Sequence, residues 1–297
     1  MTAVASSIAE LTEVRARRPQ AIAEAAAARR RRPLLGADGR LLLVAADHPG
    51  RGALGVREEP AAMSSRSDLL RRLRVALSRP GVDGVLGTAD VLEDLLLLGA
   101  LDDKVVIGSM NRGGLQGAVF ELDDRFTAYD PATIESMGFS GGKMLARIDP
   151  DDPATVATLH ACGAAVTDLA ARGLLAMIEP FVCHRSGGRV TNDLTPEAVV
   201  RSLAVCQSLG ATSAYTWLKV PVVDDMARVM DATTLPTLLL GGDPVGDPQD
   251  TYATWSDALA LPSVRGLVVG RALLYPADDD VAAAVDLAAG LVRGARR

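Results

Sequence analysis

The order of apolar and amphipathic segments predicts an α/β fold and, within that class, a (β/α)8 barrel. From residue 41 onward, short continuous apolar runs alternate with segments of helical period. Runs without inside–outside alternation are what strands buried on both faces of a parallel sheet look like. Eight such runs, each followed by a helical pattern, fall within about 250 residues, the usual span of a closed barrel. A doubly wound open sheet is the competing arrangement. It is the weaker one, because the turn after the first run, Asp47-His48-Pro49-Gly50-Arg51-Gly52, lacks the GxGxxG pattern of dinucleotide-binding sheets.

The elements follow in order. Residues 1–33 read as an Ala/Arg/Glu-rich helical extension that ends at Arg29-Arg30-Arg31-Arg32-Pro33 and packs under the barrel, which takes residues 34–297. The predicted strands are Leu41–Ala46, Gly84–Gly87, Lys104–Gly108, Lys143–Ile148, Leu174–Ile178, Ala214–Leu218, Pro236–Leu240 and Arg265–Val269. Helical patterns cover Ser67–Leu77, Leu92–Leu98, Pro153–Ala171, Pro196–Leu209, Val223–Asp231, Thr251–Leu259 and Val281–Val292. Asp152 before Pro153 and Thr195 before Pro196 supply cap signals, with proline in the first turn where its missing N–H costs nothing.

Composition narrows the function classes. With 48% hydrophobic and 23% charged residues, the chain is neither disordered nor collagen-like. A net charge of −6 argues against a nucleic-acid or membrane partner. No apolar run approaches the roughly 18 residues of a membrane span, and no secretory pattern opens the chain. Glu10, Glu13 and Glu24 argue against a transit peptide, so a cytoplasmic protein is expected. Cys162, Cys183 and Cys206 show no CxxC spacing, and the three histidines show no HxH or HxxxH spacing. Disulfides, metals and cofactors are therefore not expected. Lysine is scarce: of 31 basic residues only Lys104, Lys143 and Lys219 are lysines.

In a barrel, chemistry sits where strands end in the C-terminal direction. The sixth strand ends at Trp217-Leu218-Lys219. A lysine in apolar surroundings loses its proton more easily and becomes a nucleophile for carbonyl carbon. Strand alternation puts Lys143, Leu145 and Arg147 on one side and Met144, Ala146 and Ile148 on the other; if the first side faces the barrel axis, Lys143 is an inward cation from a strand near that of Lys219. Lys104 opens the third strand, at the end of the barrel that serves stability. Asp47, closing the first strand, is a candidate for orienting a lysine or moving protons, and Pro49-Gly50 argues against an immediate helix there. Glu179 closes the fifth strand, where desolvation is expected to raise its pKa and suit it to acid–base work. Leu240-Gly241-Gly242-Asp243 and Gly270-Arg271 end the last two strands. Their glycines let backbone N–H groups approach a phosphate, and Arg271 adds a guanidinium fork. His48 and Arg112 complete the expected substrate-binding set, Arg112 from a polar loop able to meet polyol oxygens.

Taken together, Ala46-Asp47-His48, Lys143, Glu179-Pro180, Leu218-Lys219-Val220, Gly241-Gly242 and Gly270-Arg271 resemble the class I, Schiff-base-forming aldolases. That group holds tagatose-bisphosphate, deoxyribose-phosphate and archaeal-type fructose-bisphosphate aldolases, all of the TIM-barrel fold. The resemblance covers about residues 40–275 and implies that Lys219 forms the imine. The sequence is also similar to a bacterial family associated with inositol breakdown. That similarity implies a substrate such as 2-deoxy-5-keto-gluconate 6-phosphate, cleaved to dihydroxyacetone phosphate and malonate semialdehyde. Pro49 and Cys183-His184 depart from the group's pattern, which bears on the substrate rather than on imine chemistry. The expectation is a cytoplasmic, homo-oligomeric lyase acting on a phosphorylated small molecule, with either Glu179 or Asp47 as its acid–base group. The alternatives are an imine-independent sugar-phosphate isomerase or synthase, and a non-catalytic sugar-phosphate-binding barrel.

Overall fold

The computed structural model describes residues 3–242 and 248–294. Asp243 and residues 295–297 of the expected barrel lie outside them. Among the described residues there are nine strands: β1 (Leu41–Ala46), β2 (Gly84–Gly87), β3 (Val105–Ser109), β4 (Gly141–Ile148), β5 (Leu175–Ser186), β6 (Arg189–Asp193), β7 (Thr216–Pro221), β8 (Thr237–Leu240) and β9 (Val264–Val269). All except β6 pair in parallel, and the ring β1-β2-β3-β4-β5-β7-β8-β9 closes through the β1–β9 and β4–β5 ladders. The fold is a (β/α)8 TIM barrel.

The continuous apolar runs are explained by two cores. Leu41, Leu43, Ala45, Leu86, Ile107, Met177, Trp217, Leu238 and Val268 form the cluster that fills the barrel, while Leu42, Val44, Ala46, Met144, Ala146 and Ile148 pack between strands and helices. Alternation along each strand thus sends one set inward and the other outward, and neither meets water. The helix Ala154–Ala171 has the length and apolarity to cross a membrane, but it lies on β4 and β5 with Cys162, Val166 and Leu169 buried.

Four departures from the sequence expectations have physical causes. First, the N-terminal extension is helical in pieces: Ile8–Glu10 is a 3-10 turn, and the α-helices Leu11–Arg17 and Ala21–Ala28 are separated at residues 18–20. Pro19 sits in that break, where a missing N–H is tolerated. Beyond the second helix, Arg29 donates to the carbonyls of Leu101, Lys104 and Gly138, and Leu34 packs on the inner cluster. Lys104 serves the same end, its ammonium 2.7 Å from the Val82 carbonyl.

Second, a 3-10 helix, His48–Arg51, does follow β1 directly, with Pro49 in its first turn and Gly52 closing it at φ 72°. Only a left-handed residue ends the turn this way, and glycine does so without a Cβ clash. Third, the strand carrying Lys219 runs to Pro221, because a paired lysine does not terminate a buried strand. Ala214 and Tyr215, expected to begin that strand, lie outside it and are exposed. Fourth, β5 continues far past Ile178 and turns through Gly187-Gly188, at φ 56° and 81°, into the antiparallel β6. Cys183 and His184 lie in this hairpin, beyond the Ile178 end expected for the strand.

Candidate active site

A cavity of about 660 Å³ opens at the C-terminal mouth of the barrel. Asp47, His48, Arg112, Lys143, Glu179, Lys219, Gly241, Gly242, Gly270 and Arg271, read from seven separate stretches of sequence, all line it. They meet because parallel strands in a ring deliver all their C-terminal ends to one face.

Lys143, Lys219 and Glu179 form the centre of the site. Glu179 Oε1 lies 2.8 Å from Lys219 Nζ, and its other carboxylate oxygen pairs with Lys143 Nζ. Register explains this contact: Lys143 is level with Met177 across β4–β5, and Ile178 with Leu218 across β5–β7, so three inward residues of neighbouring strands converge. Lys143 Nζ also donates to Asp47 Oδ2 at 3.2 Å. Asp47 in turn accepts from Arg112 Nη2 at 2.6 Å and from Ser109 Oγ at 3.1 Å, and its backbone carbonyl accepts from Arg112 Nη1 at 3.1 Å. Although it precedes a helical turn, the Asp47 carboxylate makes no capping hydrogen bond. Its acceptor capacity is directed into the barrel.

These pairings decide the charges. Burial works against ionisation of Glu179, but the ammonium groups of Lys143 and Lys219 outweigh it and bring the carboxyl down to about 2. The expected upward shift is therefore corrected: the sequence shows that Glu179 is buried but not that two lysines share it. Burial likewise opposes the charge on Asp47, and Arg112, Lys143 and Lys219 overcome it, holding this acid well below the usual carboxylate range. Lys143 moves the other way. Burial, assisted by Arg112 and Lys219 and resisted by Asp47 and Glu179, lowers it to about 8. His48 is lowered to about 3 by burial, with Arg271 and Lys219 acting in the same direction against Asp47, so the imidazole is neutral at physiological pH. Among the described residues, no group of three or more His, Cys, Asp or Glu side chains is placed to hold a metal ion.

Arg112 stands at the cavity, already engaged by an acid. It lines the cavity, yet its fork is occupied by Asp47, so it holds that acid rather than offering a free guanidinium to hydroxyls. At the other rim, the glycine turns leave room because side chains do not fit. A Cβ on Gly241 would come within 2.5 Å of Val269 Cγ1, and one on Gly270 within 2.5 Å of the Ala45 carbonyl oxygen and 3.1 Å of His48 Cε1. Gly242 has φ 64°. The helix after Gly270 is only Arg271–Leu274, so any dipole contribution there is that of a single turn.

The sequence reading overlooked Arg51 and Glu121. Both are buried and line the cavity with Arg147, which strand parity placed on the side of Lys143. Arg147 Nη1 donates to Glu121 Oε1 at 2.6 Å, and Arg51 pairs with Asp124. Glu121 and Asp124 belong to the long connection after β3. Asn111 pins that connection by donating to the Leu145 carbonyl at 2.6 Å and to Asp124 at 3.1 Å, while accepting from Leu145 N at 2.8 Å. No local motif marks Glu121, because its role exists only through a residue on another strand. Val190 and Asn192 of β6 and Leu194 just beyond it complete the rim.

No curated protein sequence matches the chain. Among solved structures, Cgl0159 from Corynebacterium glutamicum is 54% identical over 96% of each chain, with a TM-score of 0.94. A Schiff-base-forming fructose-1,6-bisphosphate aldolase shares 20% identity and a TM-score of 0.64 over 91% of this chain and 99% of its own. An archaeal fructose-1,6-bisphosphate aldolase, with its catalytic Lys covalently bound to the carbinolamine intermediate, shares 18% identity and a TM-score of 0.65 over 92% and 100%. At such identity the two aldolases show the fold. The model of the Cgl0159-like family matches residues 39–289, and the chain belongs to that family.

Proposed function

We propose that the chain is a class I aldolase that cleaves a phosphorylated ketose or keto-sugar acid through an imine on Lys219, releasing dihydroxyacetone phosphate. The carrying observation is the pair of buried lysines bridged by one carboxylate at the mouth of an aldolase-like barrel. Within this class, 2-deoxy-5-keto-gluconate 6-phosphate is the substrate we put first, on the resemblance to the family associated with inositol breakdown.

The neutral amine of Lys219 attacks the ketone carbon. Loss of water from the carbinolamine gives a protonated imine, which serves as an electron sink. A carboxylate, Glu179 or Asp47, takes the proton of the hydroxyl beta to the imine carbon. The carbon–carbon bond then breaks, its electron pair forms the enamine, and the aldehyde leaves. Protonation of the enamine carbon and attack by water release dihydroxyacetone phosphate and restore the amine. Glu179 Oε1 lies 2.8 Å from the Lys219 nitrogen, within reach of its protons. Lys143, at about 8, is the central group that changes charge near neutral pH, which suits it to relay protons between Asp47 and Glu179. The glycine turns and Arg271 would hold the phosphate, so that binding energy from this remote group positions the reacting carbon.

Borohydride added during turnover of a ketose phosphate should attach the substrate's mass to Lys219, located by peptide mass spectrometry. Cleavage without such an adduct would sink the imine mechanism. Substantial activity in Lys219→Arg would favour an imine-independent isomerase or synthase, since arginine cannot form the imine.

A further inference from the structure

Above the charged centre the cavity wall turns apolar. Lys143, Glu179 and Lys219 are followed, two positions nearer the mouth, by Leu145, Phe181 and Pro221. Residues two apart on a strand share a face, and all three line the cavity. Val190 of β6, Leu194 just beyond it and Val222 after β7 carry the wall outward to the rim. These side chains are not closed off in a core: Leu145, Val190 and Val222 are half-buried, and Leu194 is 51% exposed. Two polar residues share this side and leave the wall apolar near the amine. Arg147 is held by Glu121 at 2.6 Å, and Asn192 is exposed at the rim. Facing the wall, the segments after β1 and β3 supply Asp47, His48 and Arg112.

In the proposed reaction the two halves of the substrate occupy different parts of this space. The imine on Lys219 and the glycine turns after β8 and β9 fix the half that becomes dihydroxyacetone phosphate. The wall runs the other way round the ring, from β7 through β5 to β4 and the hairpin, so the second product forms against it. Hydrocarbon placed there displaces water from apolar surface, worth about four-fold in affinity per methylene. A hydroxyl placed there loses its water partners and meets no donor or acceptor on the wall's six side chains.

We propose that the enzyme also forms carbon–carbon bonds, adding dihydroxyacetone phosphate to unbranched aliphatic aldehydes seated on this wall. The activity is the proposed cleavage run in reverse and rests on that reading. Lys219 condenses with the ketone, water leaves, and the iminium loses a proton from its hydroxymethyl carbon to give the enamine. The enamine carbon then attacks the aldehyde carbon. A carboxylate, Glu179 or Asp47, carries the proton from carbon to the aldehyde oxygen. Water returns to the imine, frees the amine and releases a ketose 1-phosphate with an alkyl tail.

Propanal, butanal and pentanal have nearly the same carbonyl reactivity and serve as the probes, each with dihydroxyacetone phosphate and the native protein. The ketose 1-phosphate formed is measured by mass spectrometry. The kcat/KM for the aldehyde should rise about four-fold per methylene. A flat or falling series overturns the proposal. Val190→Asn combined with Leu194→Asn puts amides on the outer wall and should reduce the gain to under two-fold per methylene. Should that variant fail to fold, Leu194→Asn alone, at an exposed position, should reduce the gain from butanal to pentanal. A gain unmoved in the folded variant overturns the proposal. Borohydride with dihydroxyacetone phosphate alone separates this activity from the aldolase reading. An adduct on Lys219 without a rise along the series overturns the acceptor proposal only. No adduct, and no product with any aldehyde, overturns the aldolase reading and this activity with it.

Discussion

Replacing Glu179 by Gln keeps the shape of the side chain and deletes the charge between the two lysines. A carboxyl that ionises at about 2 in the folded chain, against 4.5 as its ordinary value, stabilises the fold by roughly 3 kcal/mol at neutral pH. The sign follows from the direction of the shift. A depressed acid pKa means that the unfolded chain binds the proton more readily. This stability is therefore present in full above pH 4.5 and is lost as the pH falls through about 2. The variant should be less stable by about 3 kcal/mol at pH 7, at the lower edge of what breaking a buried ion pair costs. Lys143 sets a second mark. Its folded value of about 8, below the ordinary 10.5, means that stability is withheld at low pH and regained as the pH rises between those values. Without Glu179, one of its two stabilising carboxylates is gone, so this window should extend downward from pH 8. Urea unfolding of both proteins at half-unit steps from pH 2.5 to 9 reads both effects. A difference under about 1 kcal/mol at pH 7, or one that stays constant from pH 7 to pH 3, would refute the shared-carboxylate reasoning.

Two further outcomes are expected. Gly270→Ala places a methyl group 2.5 Å from the Ala45 carbonyl oxygen, a backbone atom that does not yield cheaply. It should cost about 1–3 kcal/mol by thermal unfolding and raise KM for the phosphorylated substrate more than it lowers kcat. Asn111→Ala leaves the Leu145 N–H and carbonyl without their side-chain partner and removes one donor from Asp124. A loss of about 2–4 kcal/mol is expected, with faster hydrogen exchange across the connection that carries Glu121 and Asp124. Unchanged exchange in that connection would show that Asn111 does not anchor it.

Much of this molecule was legible in the chain. The doubly buried strands write themselves as unbroken apolar runs, and eight of them with intervening helices leave few ways to close a sheet. The parity of β4 put Lys143 and Arg147 on one side before any coordinates, and the structure makes that side the inward one. The few lysines in an arginine-rich chain stood out because the two inward ones occupy strand positions, where burial gives an amine its chemistry. What failed was local inference about polar residues. Pro49-Gly50 suggested no helix after β1, yet proline in a first turn is harmless and a 3-10 helix forms. Lys219 was taken as the end of its strand, yet an ion pair lets β7 run on to Pro221.

The sequence by itself determined the barrel, the alternation along the lysine-bearing β4 and the face where the strand ends gather, because periodicity is a property of neighbouring residues. Charge state was decided only by the tertiary structure. Glu179 ionises at about 2 instead of being raised, and Arg112 holds Asp47 instead of waiting for a hydroxyl. Glu121 and Asp124 neutralise arginines from elsewhere in the chain. Electrostatic energy depends on the distance between groups tens of residues apart, and that distance exists only once the ring of strands is closed.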